Sequence, residues 1–90
     1  MELTYNTEGT CSKQIILDID EDHDKINNVC FIGGCPGNTF GLSTLVKDMD
    51  VDYVISKLEG ILCGMKSTSC PDQLSKALKQ YKELKQIKQQ

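Results

Sequence analysis

Three features of the 90-residue chain predict an α+β domain in which a three-stranded antiparallel sheet is followed by about three helices packed on one face. The first third alternates apolar and polar residues at the two-residue period of half-buried strands. A stretch with four glycines and a proline, "GGCPGNTFG" (33 to 41), interrupts that pattern. Beyond it the apolar residues recur at helical spacing. Ninety residues suit one domain over 1 to 90, because a chain this short closes a single modest core.

The strands come first. "LTYNT" (3 to 7) sets Leu3, Tyr5 and Thr7 against Thr4 and Asn6, and "KQIILDI" (13 to 19) puts Ile15, Leu17 and Ile19 on one face. After the acidic turn "DEDHD", "KINNVCFI" (25 to 32) continues in strand-forming residues, Val29 and Phe31 facing one way and Cys30 and Ile32 the other. Cys30, in mid-strand beside Phe31, reads as a small buried apolar residue. Three strands joined by short turns make an antiparallel sheet.

The glycine stretch permits tight turns and close backbone approach. Next, Leu42, Leu45, Val46 and Met49 fall at helical spacing. Asp50 is placed to cap a second helix with the stripe Val51, Val54, Ile55 and Leu58, stopped by Gly60. "GILCGMKSTS" reads as a loop. The last helix starts near Cys70 with Pro71 at its first position, where the missing N–H has no partner to lose, and runs through Leu74, Ala77, Leu78 and Tyr81. Its Gln/Lys-rich end is expected to fray.

Composition narrows the function. Aromatics are 6% with no Trp, so the core is aliphatic and a domain of this size gains from a staple such as a metal or a disulfide. No run approaches the roughly 20 apolar residues of a membrane span, and "MELTYNTEGT" lacks the basic start and apolar middle of a signal peptide, so a cytoplasmic protein is expected. A reducing compartment turns the five cysteines toward metal binding or redox chemistry rather than a disulfide framework, as does their odd number. Net charge is −3, with 4 Lys and 11 acids in residues 1 to 65 against 6 Lys and 2 acids in 66 to 90. The absence of arginine removes the forked donor most used on phosphates and base edges, so no nucleic-acid partner is expected. The Lys-rich tail reads as a solvated helix face.

Four cysteines fall at element ends: Cys11 before the second strand, Cys35 after the third, Cys63 between two helices and Cys70 opening the last helix. With the helices on one face, these positions can meet at one end, as the four ligands of a tetrahedral ion must; thiolates suit zinc or an iron–sulfur cluster. The spacings of 24, 28 and 7 residues include no C-x-x-C, so spacing alone is a weak signal. The local setting adds to it, since the positive end of a helix and its unpaired N–H groups favour a thiolate at Cys70.

The segments "GTCS" (9 to 12), "GGCPGN" (33 to 38), "GILCG" (60 to 64) and "TSCPDQL" (68 to 74), in this order, resemble the TSCPD-domain family over nearly the whole chain. The resemblance implies that the family's four cysteines correspond to Cys11, Cys35, Cys63 and Cys70, leaving Cys30 out. That domain is also similar to a segment near the C-terminus of some cobalamin-dependent ribonucleotide reductases, although 90 residues cannot hold a reductase barrel, nucleotide site and radical site. More distantly, Cys11, Cys35 and Cys70 resemble the ligand positions of U-type iron–sulfur cluster scaffolds. The scaffold's Asp after its first cysteine is absent from "CSK", and its His before the third is Ser69 here.

Other motifs fail on inspection. "DIDEDHD" places Asp18, Asp20 and Asp22 like the start of a calcium loop, but His23 stands where Gly is needed and Val29 where a bidentate Glu is needed, which leaves a solvated hairpin turn. His23, the single histidine, reads as an exposed titrating group, and "GGCPGN" lacks the Lys and Ser/Thr of a phosphate loop. A Cys63–Cys70 disulfide stays open. The expectation is a metal-binding module, zinc ahead of an iron–sulfur cluster. The alternatives are a cluster scaffold or carrier and an accessory protein related to the reductase tail. A protein partner is expected, either a ribonucleotide reductase or a cluster acceptor, with no membrane; a homo-oligomer is left open.

Overall fold

The computed structural model describes residues 1–9, 12–33, 36–62 and 68–89. Strands β1 (Glu2–Asn6), β2 (Ser12–Asp20) and β3 (Lys25–Gly33) are followed by helices α1 (Pro36–Val46), α2 (Val51–Leu58) and α3 (Cys70–Gln89). The sheet is antiparallel in the order β1-β2-β3, the α+β arrangement expected from the two periodicities. Leu3 faces Leu17 and Tyr5 faces Ile15 across β1 and β2. Ile15 faces Phe31 and Leu17 faces Val29 across β2 and β3. These residues share one side of the pleat, and the helices cover it. Ile15, Leu17, Ile19, Ile26 and Val29 are buried in one cluster with Val46, Val51, Val54, Leu74, Ala77, Leu78 and Tyr81. Burial of such side chains is the main favourable contribution, about 1.5 to 3 kcal/mol for each large one.

The same alternation puts Cys30 on the opposite face. It pairs across the sheet with Ile16 and is an exposed free thiol, so the reading of Cys30 as a buried residue is corrected. A residue out of phase with Val29 and Phe31 by one position must face the other side, where Cys30 lines an open cleft together with Thr39, Phe40 and Ser43 of the first helix.

The β2–β3 turn is the solvated hairpin expected from "DEDHD". Asp20 accepts the N–H of Asp22 at 3.0 Å and lies 2.9 Å from the His23 ring nitrogen, a local side-chain closure that short acidic residues favour. Asp24 closes the turn in the left-handed region at φ 53°.

The first two helices differ from the sequence reading in one boundary and one cap. α1 begins at Pro36, inside the segment read as turn, because a proline in the first helical turn lacks only an N–H that would have no partner. From residue 39 onward its buried residues are Thr39 and Val46, whereas Leu45 is 69% exposed. Thr39, Leu42 and Val46 recur at three- and four-residue steps, while Leu45 lies about 100° round from Val46. α2 follows the expected stripe, and it ends as expected before Gly60, at φ 83°. Asp50 holds the N-cap position without a side-chain capping bond; the entry is fixed instead by Val51 N–H donating to the Asp24 carbonyl at 2.9 Å.

α3 extends through the Gln/Lys-rich segment to Gln89. Its lysines are not simply a solvated face. Lys79 pairs with Glu59, Lys82 with Asp52 and Lys85 with Asp24 at 2.6 Å, so the basic tail lies against the acidic elements before it. Exposed pairs of this kind contribute at most about 1 kcal/mol each; they orient α3 more than they hold it. No helix among the described residues is long and apolar enough to cross a membrane.

Candidate functional site

The N-terminus of α3 is built by its own sequence. Ser69 is the cap: its carbonyl accepts the first helical bond from Gln73 N–H at 2.8 Å, and its hydroxyl accepts Asp72 N–H at 3.1 Å. Cys70 is therefore the first helical residue and Pro71 the second, one place later than the sequence reading put the proline. Both Pro71 and Cys70 stand in the turn whose N–H groups have no helical acceptor.

Around this cap four buried polar residues, Thr68, Ser69, Asp72 and Gln73, form a closed set of bonds. The Asp72 carboxylate takes Gly60 N–H on Oδ1 at 2.8 Å and the Thr68 hydroxyl on Oδ2 at 2.5 Å. The Thr68 oxygen in turn accepts Gln73 Nε2 at 3.0 Å, and Gln73 Oε1 accepts Glu8 N–H at 3.2 Å. The Ser69 hydroxyl donates to the Ile61 carbonyl. Among the described residues no buried side-chain polar atom lacks a partner, as low-polarity surroundings require. The Thr68 hydroxyl, then the Gly60 N–H and Lys76, hold the Asp72 carboxyl below its ordinary pKa although burial pushes the other way.

Cys70 sits beside this set as a half-buried free thiol. Its sulfur is 2.9 Å from the Ser12 hydroxyl, which lies at the start of β2. Ser12 is also the cross-strand partner of Gly33 at the end of β3. Thus the start of β2, the end of β3 and the residues after α2 all reach the end of the domain where Cys70 stands.

Of the cysteines assigned from the sequence, Cys11, Cys35 and Cys63 lie outside the described residues. The Cys63–Cys70 disulfide considered from the sequence falls outside them too, since the loop before Cys70 is described only up to Leu62 and from Thr68. Among the described residues no three or more His, Cys, Asp or Glu side chains gather as a metal centre. Cys70 is a free thiol partly open to solvent with a hydroxyl 2.9 Å from its sulfur, and a cysteine sulfur is a soft donor of the kind that zinc and iron–sulfur clusters take.

Sequence reasoning missed the set around Asp72. A signal was present, since Ser69-x-x-Asp72 ahead of the apolar run Leu74, Ala77 and Leu78 is a capping-box pattern. The tie from Thr68 to Gln73 and Glu8 had none, because it joins residues 65 positions apart.

This α+β domain, with a capped cysteine at the head of its last helix, matches a known family. The family model for the TSCPD domain covers residues 3–82, and the chain belongs to that family. No curated protein and no solved structure matches it.

Proposed function

We propose that this TSCPD-domain protein is a small cytoplasmic metal-binding module in which Cys11, Cys35, Cys63 and Cys70 share one ion, zinc ahead of an iron–sulfur cluster. One observation carries the reading: described residues that flank the other three cysteines come to Cys70, to its neighbour Ser69 or to its contact Ser12. Ser12, next to Cys11, touches the Cys70 sulfur. Gly33, two residues before Cys35, pairs with Ser12. Ile61, two residues before Cys63, accepts the hydroxyl of Ser69, the neighbour of Cys70. Two residues of chain span at most about 7 Å, a separation short enough for four thiolates from these segments to share one ion. Four thiolates at about 2.3 Å from zinc make a closed, structural type of shell.

The test is elemental analysis of protein purified without oxygen. One equivalent of metal is expected, lost when any of the four cysteines is changed to serine. A folded protein free of metal, whose melting temperature does not move in strong chelator, would overturn the reading. The half-exposed position of Cys70 favours a second reading, a cluster carrier serving an acceptor protein, because an accessible sulfur eases handover. A brown chromophore transferable to an apo-acceptor distinguishes the two.

A further inference from the structure

The bonds around Asp72 do more than cap a helix. They join the residues after α2, the residues after β1 and the head of α3, and each of these segments leads within three residues to one of the proposed ligands: Gly60 to Cys63, Glu8 to Cys11, and Thr68 to Cys70. We infer that Asp72, relayed through Thr68 and Gln73, is a positioning residue that assembles three of the four ligand-bearing segments before any metal arrives, so that the metal binds a folded protein instead of folding it. This inference rests on the four-cysteine reading above.

The chemistry of the side chain supports the role. A carboxylate is the one common side chain with two acceptor oxygens and no donor, and here each oxygen holds a different segment: Gly60 N–H at 2.8 Å and Thr68 at 2.5 Å. A cap would need neither, since Ser69 already satisfies the Asp72 N–H. Lys76, 3.7 Å away, balances the charge from the solvent side. The relay then continues from Thr68 through Gln73 to Glu8 without a gap. Gly9, which follows Glu8, comes close enough to Thr68 that a methyl group there would lie 3.0 Å from the Thr68 Cγ2.

The test compares zinc affinity, by competition with a chromophoric chelator, among Asp72→Asn, Thr68→Val, Thr68→Ser and Tyr81→Phe, the last a change remote from the junction. Asn keeps one acceptor and presents a donor to the other partner, so Asp72→Asn is expected to weaken zinc binding about ten- to a hundred-fold, the range for lost outer-shell support. Thr68→Val should do the same, and Thr68→Ser and Tyr81→Phe should stay near wild type. In the metal-free protein the Gly60 amide should exchange its hydrogen slowly, and faster in Asp72→Asn. Unchanged affinity in Asp72→Asn and Thr68→Val, with equal losses of melting temperature in the metal-free and zinc-loaded forms, would reduce Asp72 to a cap and overturn the inference alone. Should Asp72→Asn not fold, the Val/Ser pair at Thr68 decides. If wild-type protein retains no zinc, the functional reading falls and this inference with it; if metal-free wild type is unfolded, only the inference falls.

Discussion

The Tyr81 hydroxyl donates to Asp24 Oδ1 at 2.7 Å, tying the buried face of α3 to the one left-handed residue of the β2–β3 turn. Lys85 reaches the same oxygen and the Glu21 carbonyl. Lys85 first, then Tyr81, keep the Asp24 carboxyl below 3.8, so its contribution is present above about pH 4 and is lost as pH falls through the folded value. Burial and Asp24 raise the Tyr81 phenol well above its ordinary 10.0, so its contribution is present below pH 10 and is lost as pH rises beyond it. Denaturant melts from pH 2.5 to 11 should show a plateau between these limits. Asp24→Asn, which suits a left-handed position, should flatten the acid limb. Tyr81→Phe should flatten the alkaline limb and cost about 1 kcal/mol at pH 7; an alkaline limb of unchanged slope in Tyr81→Phe would count against the pairing.

Leu78 and Leu45 test which helix faces are covered. Leu78 is fully buried and Leu45 is 69% exposed. Leu78→Ala should destabilise by about 2 to 5 kcal/mol, a large share of the stability of a domain this size. Leu45→Ala should stay within about 0.5 kcal/mol. Equal losses in thermal melts would mean that α1 is turned differently about its axis.

Gly9 and Gly60 both have positive φ, at 75° and 83°, but only Gly9 is crowded. An alanine at Gly60 meets open space, whereas at Gly9 it meets the Thr68 methyl at 3.0 Å. Gly60→Ala should lose about 1 kcal/mol from backbone strain alone, and Gly9→Ala more than that. The order is read from denaturant midpoints, and the reverse order would contradict the packing of Gly9 on Thr68.

Cys30 should behave as a bystander. Because it is exposed on the opposite face from the core, it should react with iodoacetamide at the same rate with and without chelator, and Cys30→Ser should leave metal content unchanged. Cys70 should be protected in the metal-loaded protein and become reactive once metal is removed. Mass mapping of the alkylated peptides reads both sites together, and protection of Cys30 by metal would place it among the ligands.

Much of the fold was legible in particular residues. Ile15, Leu17 and Ile19 announced a strand, and Val51, Val54, Ile55 and Leu58 a helix, because burial on one face repeats with the period of the element itself. Leu45 misled because Thr39, a polar residue, takes the buried place and shifts the stripe. Cys30 misled because its type was weighed above its phase: the alternation that buries Val29 and Phe31 already turned Cys30 outward. In the site, Cys70 at the head of a helix was readable, as was its Ser69 cap in principle.

Local order along the chain was enough to determine the three strands, the three helices, their sequence and the family. Only the tertiary structure decided that Ser12 meets Cys70, that Gly60 and Glu8 are fastened to one network about Asp72, and that the lysines of α3 lie against acids from α2 and the hairpin. The division has a physical cause. Periodicity and capping depend on neighbours within a few residues, whereas these contacts join positions 12 to 65 residues apart, brought together only when the sheet and helices close on a common core.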